Sequence, residues 1–189
     1  MCEDLKHLLE RMKQPIKVLF LDIDGVLNNQ DFFDAKADAD GKFLLNVMSG
    51  EDMIDPKNIA VLNKFLEETD AYIVISSTWR RMFKRIEIND ALISGGFKYP
   101  QKVIGMTPVK FSHCQRSTEI QLWLEDNYRY EVTGFAVVDD NHLGIFPSPV
   151  SKHLVLTKFC HGLLDEHVPL LKEKLELPID LKEIDLYAE

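Results

Sequence analysis

The chain has 189 residues, 46% of them apolar and 28% charged, with a formal net charge of −9. That size and composition suit one domain with a packed core, or a domain with a small insert, and exclude disorder as the default state. The acidic balance argues against an extended nucleic-acid surface and against binding to anionic membranes, while leaving room for a local basic pocket.

In chain order, the opening segment MCEDLKHLLERMKQP lacks the apolar centre of a signal peptide. Its Leu5, Leu8, Leu9 and Met12 recur at helical spacing and Pro15 stops the pattern, so a short amphipathic helix packed on the domain is expected. Five short apolar runs follow, at 16–23, 71–76, 102–106, 135–140 and 153–157, rich in β-branched or aromatic residues and without clean polar alternation. Such runs fit strands covered by helices on both faces. Between them, 56–69 carries Ile59, Leu62, Phe65 and Leu66 at helical spacing. The stretch 117–127 carries Ile120, Trp123 and Leu124, with Ser117 as the expected cap. Pro169 inside 162–176 predicts a kink or a late helix start there. The alternation of strand and helix predicts an α/β fold with a mainly parallel sheet.

Residues 28–57 interrupt that rhythm. The segment is polar, contains DAKADADGKF, and is too long for a strand-to-helix turn, so it is read as a short irregular insertion, either a binding loop or a solvated surface excursion. It has no calcium-loop register, because Lys36 and Val47 stand where acids are required. A second irregular stretch, 95–102, joins a short helix to the next strand. The three cysteines, Cys2, Cys114 and Cys160, are far apart and show no zinc spacing, so reduced thiols in a cytoplasmic protein are expected. No apolar run approaches the ~20 residues of a membrane helix. The six histidines show no metal-ligand spacing, and only His142, near Asp140, lies close to other candidate groups. GxxxxGK[ST] is absent.

The chemistry-bearing residues gather at strand ends. In LFLDIDGVLNN an apolar run stops at Asp22 and Asp24; AYIVI is followed by Ser76 and Ser77, and FAVV by Asp139 and Asp140. In an open parallel sheet, ligands bind beyond the carboxyl ends of the strands. A single aspartate at such a place commonly just caps the next helix. Four on two strands would repel one another unless a cation neutralised them, and a hard divalent ion such as magnesium (Mg2+) suits oxygen ligands beside a phosphate.

These residues resemble the motifs of the haloacid dehalogenase-like (HAD) phosphohydrolases. DIDGVL at 22–27 is similar to the first motif, Ser76 to the second, Arg116 or Lys110 to the basic third, and VVDD at 137–140 to the acidic fourth. The resemblance spans roughly 16–175. IVISSTWR, QRSTEIQLWL and VVDDN further resemble the subgroup of HAD domains associated with RNA-repair proteins. The resemblance implies a Rossmann-like three-layer sandwich with a small cap or none, formed by 1–189 as one domain. It implies Asp22 as nucleophile, giving an aspartyl-phosphate, and Asp24 as general acid and base. An aspartate at 24 implies hydrolysis, since relatives that act as ion pumps carry threonine there. Gly25 would allow the backbone to turn away after the strand. Magnesium would be held by Asp22, the Asp24 main-chain carbonyl and Asp139, with Asp140 behind them, although one step of register exchanges Asp139 with Asp140 and Ser76 with Ser77. Ser76 would bind a phosphoryl oxygen, and Arg116, favoured over Lys110, would meet its developing charge. Arg80 would contact substrate or lie on a helix surface; Trp79 would stack on a base or sugar, or fill the core.

The resulting expectation is a magnesium-dependent phosphomonoesterase acting on a small phosphorylated molecule or on a phosphorylated protein or nucleic-acid end. The rivals are a phosphotransferase of the same fold, which must exclude water, and a non-catalytic binding or regulatory domain. A receiver domain places its acidic pair on the first strand and its lone phospho-acceptor later, and a toprim-like nuclease places DxD late. Both orders differ from this one.

Overall fold

The computed structural model describes residues 15–37, 53–109, 115–127, 130–142, 144–145 and 148–180. The expected N-terminal helix, Cys2, Lys110, Cys114 and the centre of the 28–57 insertion lie outside them.

All five apolar runs form strands: β1, Pro15–Leu21; β2, Tyr72–Ile75; β3, Val103–Met106; β4, Glu131–Asp139; and β5, Leu154–Leu156. They pair in parallel in the order β3-β2-β1-β4-β5, so the strand bearing Asp22 at its end is central. The helices are α1, Gln30–Ala35; α2, Pro56–Thr69; α3, Arg85–Ser94; α4, Arg116–Asp126; and α5, His167–Leu175. A 3-10 turn, Thr78–Arg81, follows β2. The architecture is Rossmann-like α/β.

Each sheet face carries its own core, which is why the strands read as unbroken apolar runs. Leu19, Leu21, Ile73, Ile75 and Val138 pack beneath α2, α3 and α5 through residues such as Phe65, Leu92 and Leu171. Val18, Phe20, Val74, Phe135 and Val137 pack against Ile120 and Trp123 of α4. Phe20 meets Trp123 and Phe135 edge-on, with ring centroids 5.5 and 5.8 Å apart. Burying each such side chain contributes about 1.5–3 kcal/mol. The far end of α5 lies directly on β4, where a Cβ at Gly134 would stand 1.9 Å from the Leu175 carbonyl oxygen.

Two expectations are corrected. Ser117 does not cap α4: the helix begins at Arg116 with Gln115 before it, and Ser117 is buried in the first turn. The Ser117 N–H finds its acceptor in the Gly144 carbonyl at 3.0 Å, so the loop after β4 replaces a side-chain cap. The insertion is not irregular throughout. Asn29 accepts from the Phe32 N–H at 2.8 Å and starts α1. Asn29 also donates to Asp55 and Asn58 at 2.9 and 2.7 Å, and Asn58 donates to the Leu163 carbonyl at 2.8 Å. This buried amide network ties both ends of the insertion to the segment after β5. Pro169 sits in the first turn of α5, giving the late start. Among the described residues, no helix is long and apolar enough to cross a membrane.

Candidate functional site

β1 delivers Asp22 while the chain is still in the sheet, for the Asp22 N–H donates to the Val138 carbonyl at 3.1 Å. The backbone then coils back on itself: the N–H groups of Val26, Leu27 and Asn28 all reach the Ile23 carbonyl, at 3.1, 2.8 and 3.2 Å. Gly25 makes this turn at φ 69°, and a Cβ there would lie 2.4 Å from an Asp140 oxygen. Glycine is needed twice, for the left-handed backbone and for the close approach of Asp140. Thr157, just beyond β5, locks the junction by donating its hydroxyl to the Gly25 carbonyl at 2.7 Å and its N–H to the Asp139 carbonyl at 3.0 Å.

Asp22, Asp139 and Asp140 each offer an oxygen, and the three oxygens lie within 4.8 Å of one another. Arg116, opening α4 as expected, places Nη1 2.6 Å from Asp22 Oδ2 and 2.6 Å from Asp139 Oδ2. Asp139 Oδ1 accepts the Asn141 N–H at 2.9 Å. Asp140 lies with Asp139 and Asp22 in the same trio of carboxylates. The Asp24 carboxylate has its own partners. Asn28 donates to it at 2.9 Å, and the Trp79 indole N–H reaches its two oxygens at 3.0 and 3.1 Å.

The serines divide the remaining work. The Ser77 hydroxyl accepts the Trp79 N–H at 3.3 Å and lies beside the Asp22 carboxylate, whose charged form it favours. Ser76 is buried, and its hydroxyl has no partner among the described residues. An orphaned hydroxyl at the end of β2, where the register sets it next to Asp22, calls for a ligand or water. Arg80 is not a helix-surface arginine: it is buried, donating to the Ser77 carbonyl and to Glu119. Trp79 is 4% exposed and serves as core and as a donor to Asp24 at once. His142 is exposed.

Electrostatics follow from burial. It pushes the Asp22 and Asp140 carboxyls up, and it raises Asp139 from 3.8 to about 7, with the Asp22 charge adding to the effect. Burial works against the Arg116 charge too, but Asp22 and Asp139 outweigh it and hold the guanidinium above its usual value. One guanidinium shared by two buried carboxylates does not neutralise both, so the pair retains a proton near neutrality. Three oxygen donors short of positive charge fit a hard divalent cation.

Asn28, Thr157 and Glu119 are absent from the sequence expectations, and Trp79 is expected there to stack or to fill the core, not to donate to Asp24. Thr157 and Glu119 act through partners distant in the chain, whereas Asn28 acts locally, on Asp24 and the Gly25 N–H within the turn after β1.

A family model described as "HAD domain in Swiss Army Knife RNA repair proteins" matches residues 18–168. The comparisons with curated proteins and with solved structures gave no match.

Proposed function

Since the chain belongs to the HAD domains of Swiss Army Knife RNA repair proteins, we propose that it is a magnesium-dependent phosphomonoesterase working through an aspartyl-phosphate on Asp22. The observation that carries this reading is the convergence of Asp22, Asp139 and Asp140 oxygens within 4.8 Å of one another, with the Arg116 guanidinium bridging Asp22 and Asp139.

In this reading, a carboxylate oxygen of Asp22 attacks phosphorus, the phosphorus–oxygen bond to the alcohol breaks, and Asp24 gives the leaving oxygen its proton. A water then attacks the phosphoryl group while Asp24 takes its proton, and inorganic phosphate departs with Asp22 restored. Trp79 and Asn28 hold the Asp24 carboxylate in one orientation for both transfers. The free Ser76 hydroxyl donates to a phosphoryl oxygen, and Arg116 meets the negative charge that builds there. Asp22, Asp139 and Asp140, with the Asp24 main-chain carbonyl, would hold magnesium, which would supply charge neutralisation for nucleophile and transition state.

The family description favours a phosphorylated RNA end as substrate. A small phosphomonoester is the alternative, and a panel of phosphorylated metabolites, nucleotides and 3′- or 5′-phosphorylated oligonucleotides separates the two. The primary test is hydrolysis of an aryl phosphate. Turnover should need magnesium, stop with EDTA and vanish in Asp22→Asn with the circular dichroism unchanged. Persistent turnover in that variant would remove the nucleophile assignment.

A further inference from the structure

Ser77 and the 3-10 turn it caps carry three contacts within four residues. Ser77 lies beside Asp22 and favours its charged form, Trp79 donates to Asp24, and Arg80 reaches away from both to Glu119 on α4. Arg80 Nη1 donates to the Ser77 carbonyl while Nη2 donates to Glu119 Oε2. Glu119 stands one helical turn beyond Arg116, the residue bridging Asp22 and Asp139. The contacts therefore tie the turn, α4 and the carboxylates together: Trp79 to Asp24, Arg80 to Glu119, and Arg116 to Asp22 and Asp139.

As a device for stability alone the pair is poor. The side chains are 2% and 3% exposed, so both charges are stripped of water. Burial pushes the Arg80 guanidinium down and the Glu119 carboxyl up, in each case further than the partner's charge pulls it back. Arg80 Nε and Glu119 Oε1 also lack partners among the described residues, so the network is only partly satisfied. A cavity of about 200 Å³ bordered by Arg80, Glu119, Arg116 and Asp139 lies alongside, which puts the pair at the wall of the site.

We propose that Arg80 and Glu119 are positioning residues, a cross-brace fixing the Ser76–Arg81 segment against α4 so that Ser77 and Trp79 hold Asp22 and Asp24 in register with Arg116. Neither is a catalytic residue. The proposal rests on the phosphohydrolase reading for its effect on turnover, but not for its effect on structure.

The test replaces both charges at once. Arg80→Met with Glu119→Met leaves no lone buried charge, and apolar replacement of a buried pair is often neutral or favourable to stability. The melting temperature should hold, whereas either single variant, stranding one charge, should lower it. The brace predicts that the folded double variant loses kcat by about 100-fold, the scale of a displacement near 1 Å, with a smaller change in KM. It also predicts that the Trp79 indole N–H resonance, assigned by its absence in Trp79→Phe, shifts and exchanges faster with solvent. A folded double variant with wild-type kcat, or with an unchanged indole signal, overturns the proposal. If the double variant fails to fold, Glu119→Gln carries the same two readouts and the same criterion. If Asp22→Asn shows that turnover never depended on Asp22, the hydrolase reading falls and the indole signal alone decides the brace.

Discussion

Magnesium binding should be strongly proton-linked below neutrality. Asp139 is 1% exposed and its carboxyl is raised from 3.8 to about 7 by burial and by the neighbouring Asp22 charge. Asp22 and Asp140 are raised as well, and Arg116 keeps its charge throughout. The cation-free trio therefore carries a proton at pH 6, which a divalent ion must expel. One proton released gives a Kd that falls about tenfold per pH unit, ~1.4 kcal/mol, and flattens above pH 7. Titration calorimetry at pH 5.5, 6.5 and 7.5, in two buffers of different ionisation enthalpy, measures both the slope and the proton count. The sign for stability follows the same shift. A folded pKa above the unfolded value contributes stability fully present below about pH 3.8 and lost as pH rises through about 7. For Asp139, about 2 kcal/mol of that should disappear between pH 5.5 and 7.5 in EDTA. His153 and His167, whose imidazoles burial pushes down, move stability the opposite way. The informative quantity is thus the magnesium-dependent gain in melting temperature, larger at pH 7.5 than at pH 5.5 and reduced in Asp139→Asn. A Kd independent of pH from 5.5 to 7.5, with no proton release, would refute the reasoning.

Two further substitutions probe the same corner. Gly25→Ala puts a Cβ on a left-handed residue and 2.4 Å from an Asp140 oxygen. The backbone conformation alone costs about 1–2 kcal/mol, so urea denaturation should show at least that loss, and displacement of Asp140 should weaken magnesium binding by about tenfold or more. Trp79→Phe keeps a ring beside Phe83, 5.5 Å away, but deletes the N–H that reaches both Asp24 oxygens. A hydrogen bond to a charged group contributes about 1.5–3 kcal/mol, so kcat should drop about 10- to 100-fold. Unchanged kcat would mean that the indole does not orient Asp24.

Strand-end chemistry was legible because strands impose parity. Asp22, Ser76 and Asp139 each stand two positions after a residue of one core, Phe20, Val74 and Val137. Alternation then sends all three toward the face that α4 covers, where Arg116 meets Asp22 and Asp139. The same count favours Ser76 over Ser77 for that face. It does not settle Asp140, because β4 ends at Asp139 and the turn beyond has no fixed alternation. The Ser117 cap failed for a related reason. A cap motif names a donor's usual local partner, and here a carbonyl from another loop, Gly144, took the Ser117 N–H instead.

The supporting residues were illegible for a deeper reason. Arg80 and Glu119 lie 39 positions apart, one after a strand and one inside a helix whose neighbouring positions already read as core. Nothing in either local pattern distinguishes a solvated arginine from one that will be closed in, since helical spacing fixes which face a residue occupies but not which element arrives opposite it. Trp79 was ambiguous in kind rather than place. An indole is mostly hydrocarbon with one polar edge, so packing against Phe83 and donating to Asp24 satisfy both parts of one side chain. Parity can thus predict which strand-end groups share a crevice, because it depends on the backbone alone. The contacts that hold those groups still depend on how the 3-10 turn meets α4, and that meeting is a property of the packed core.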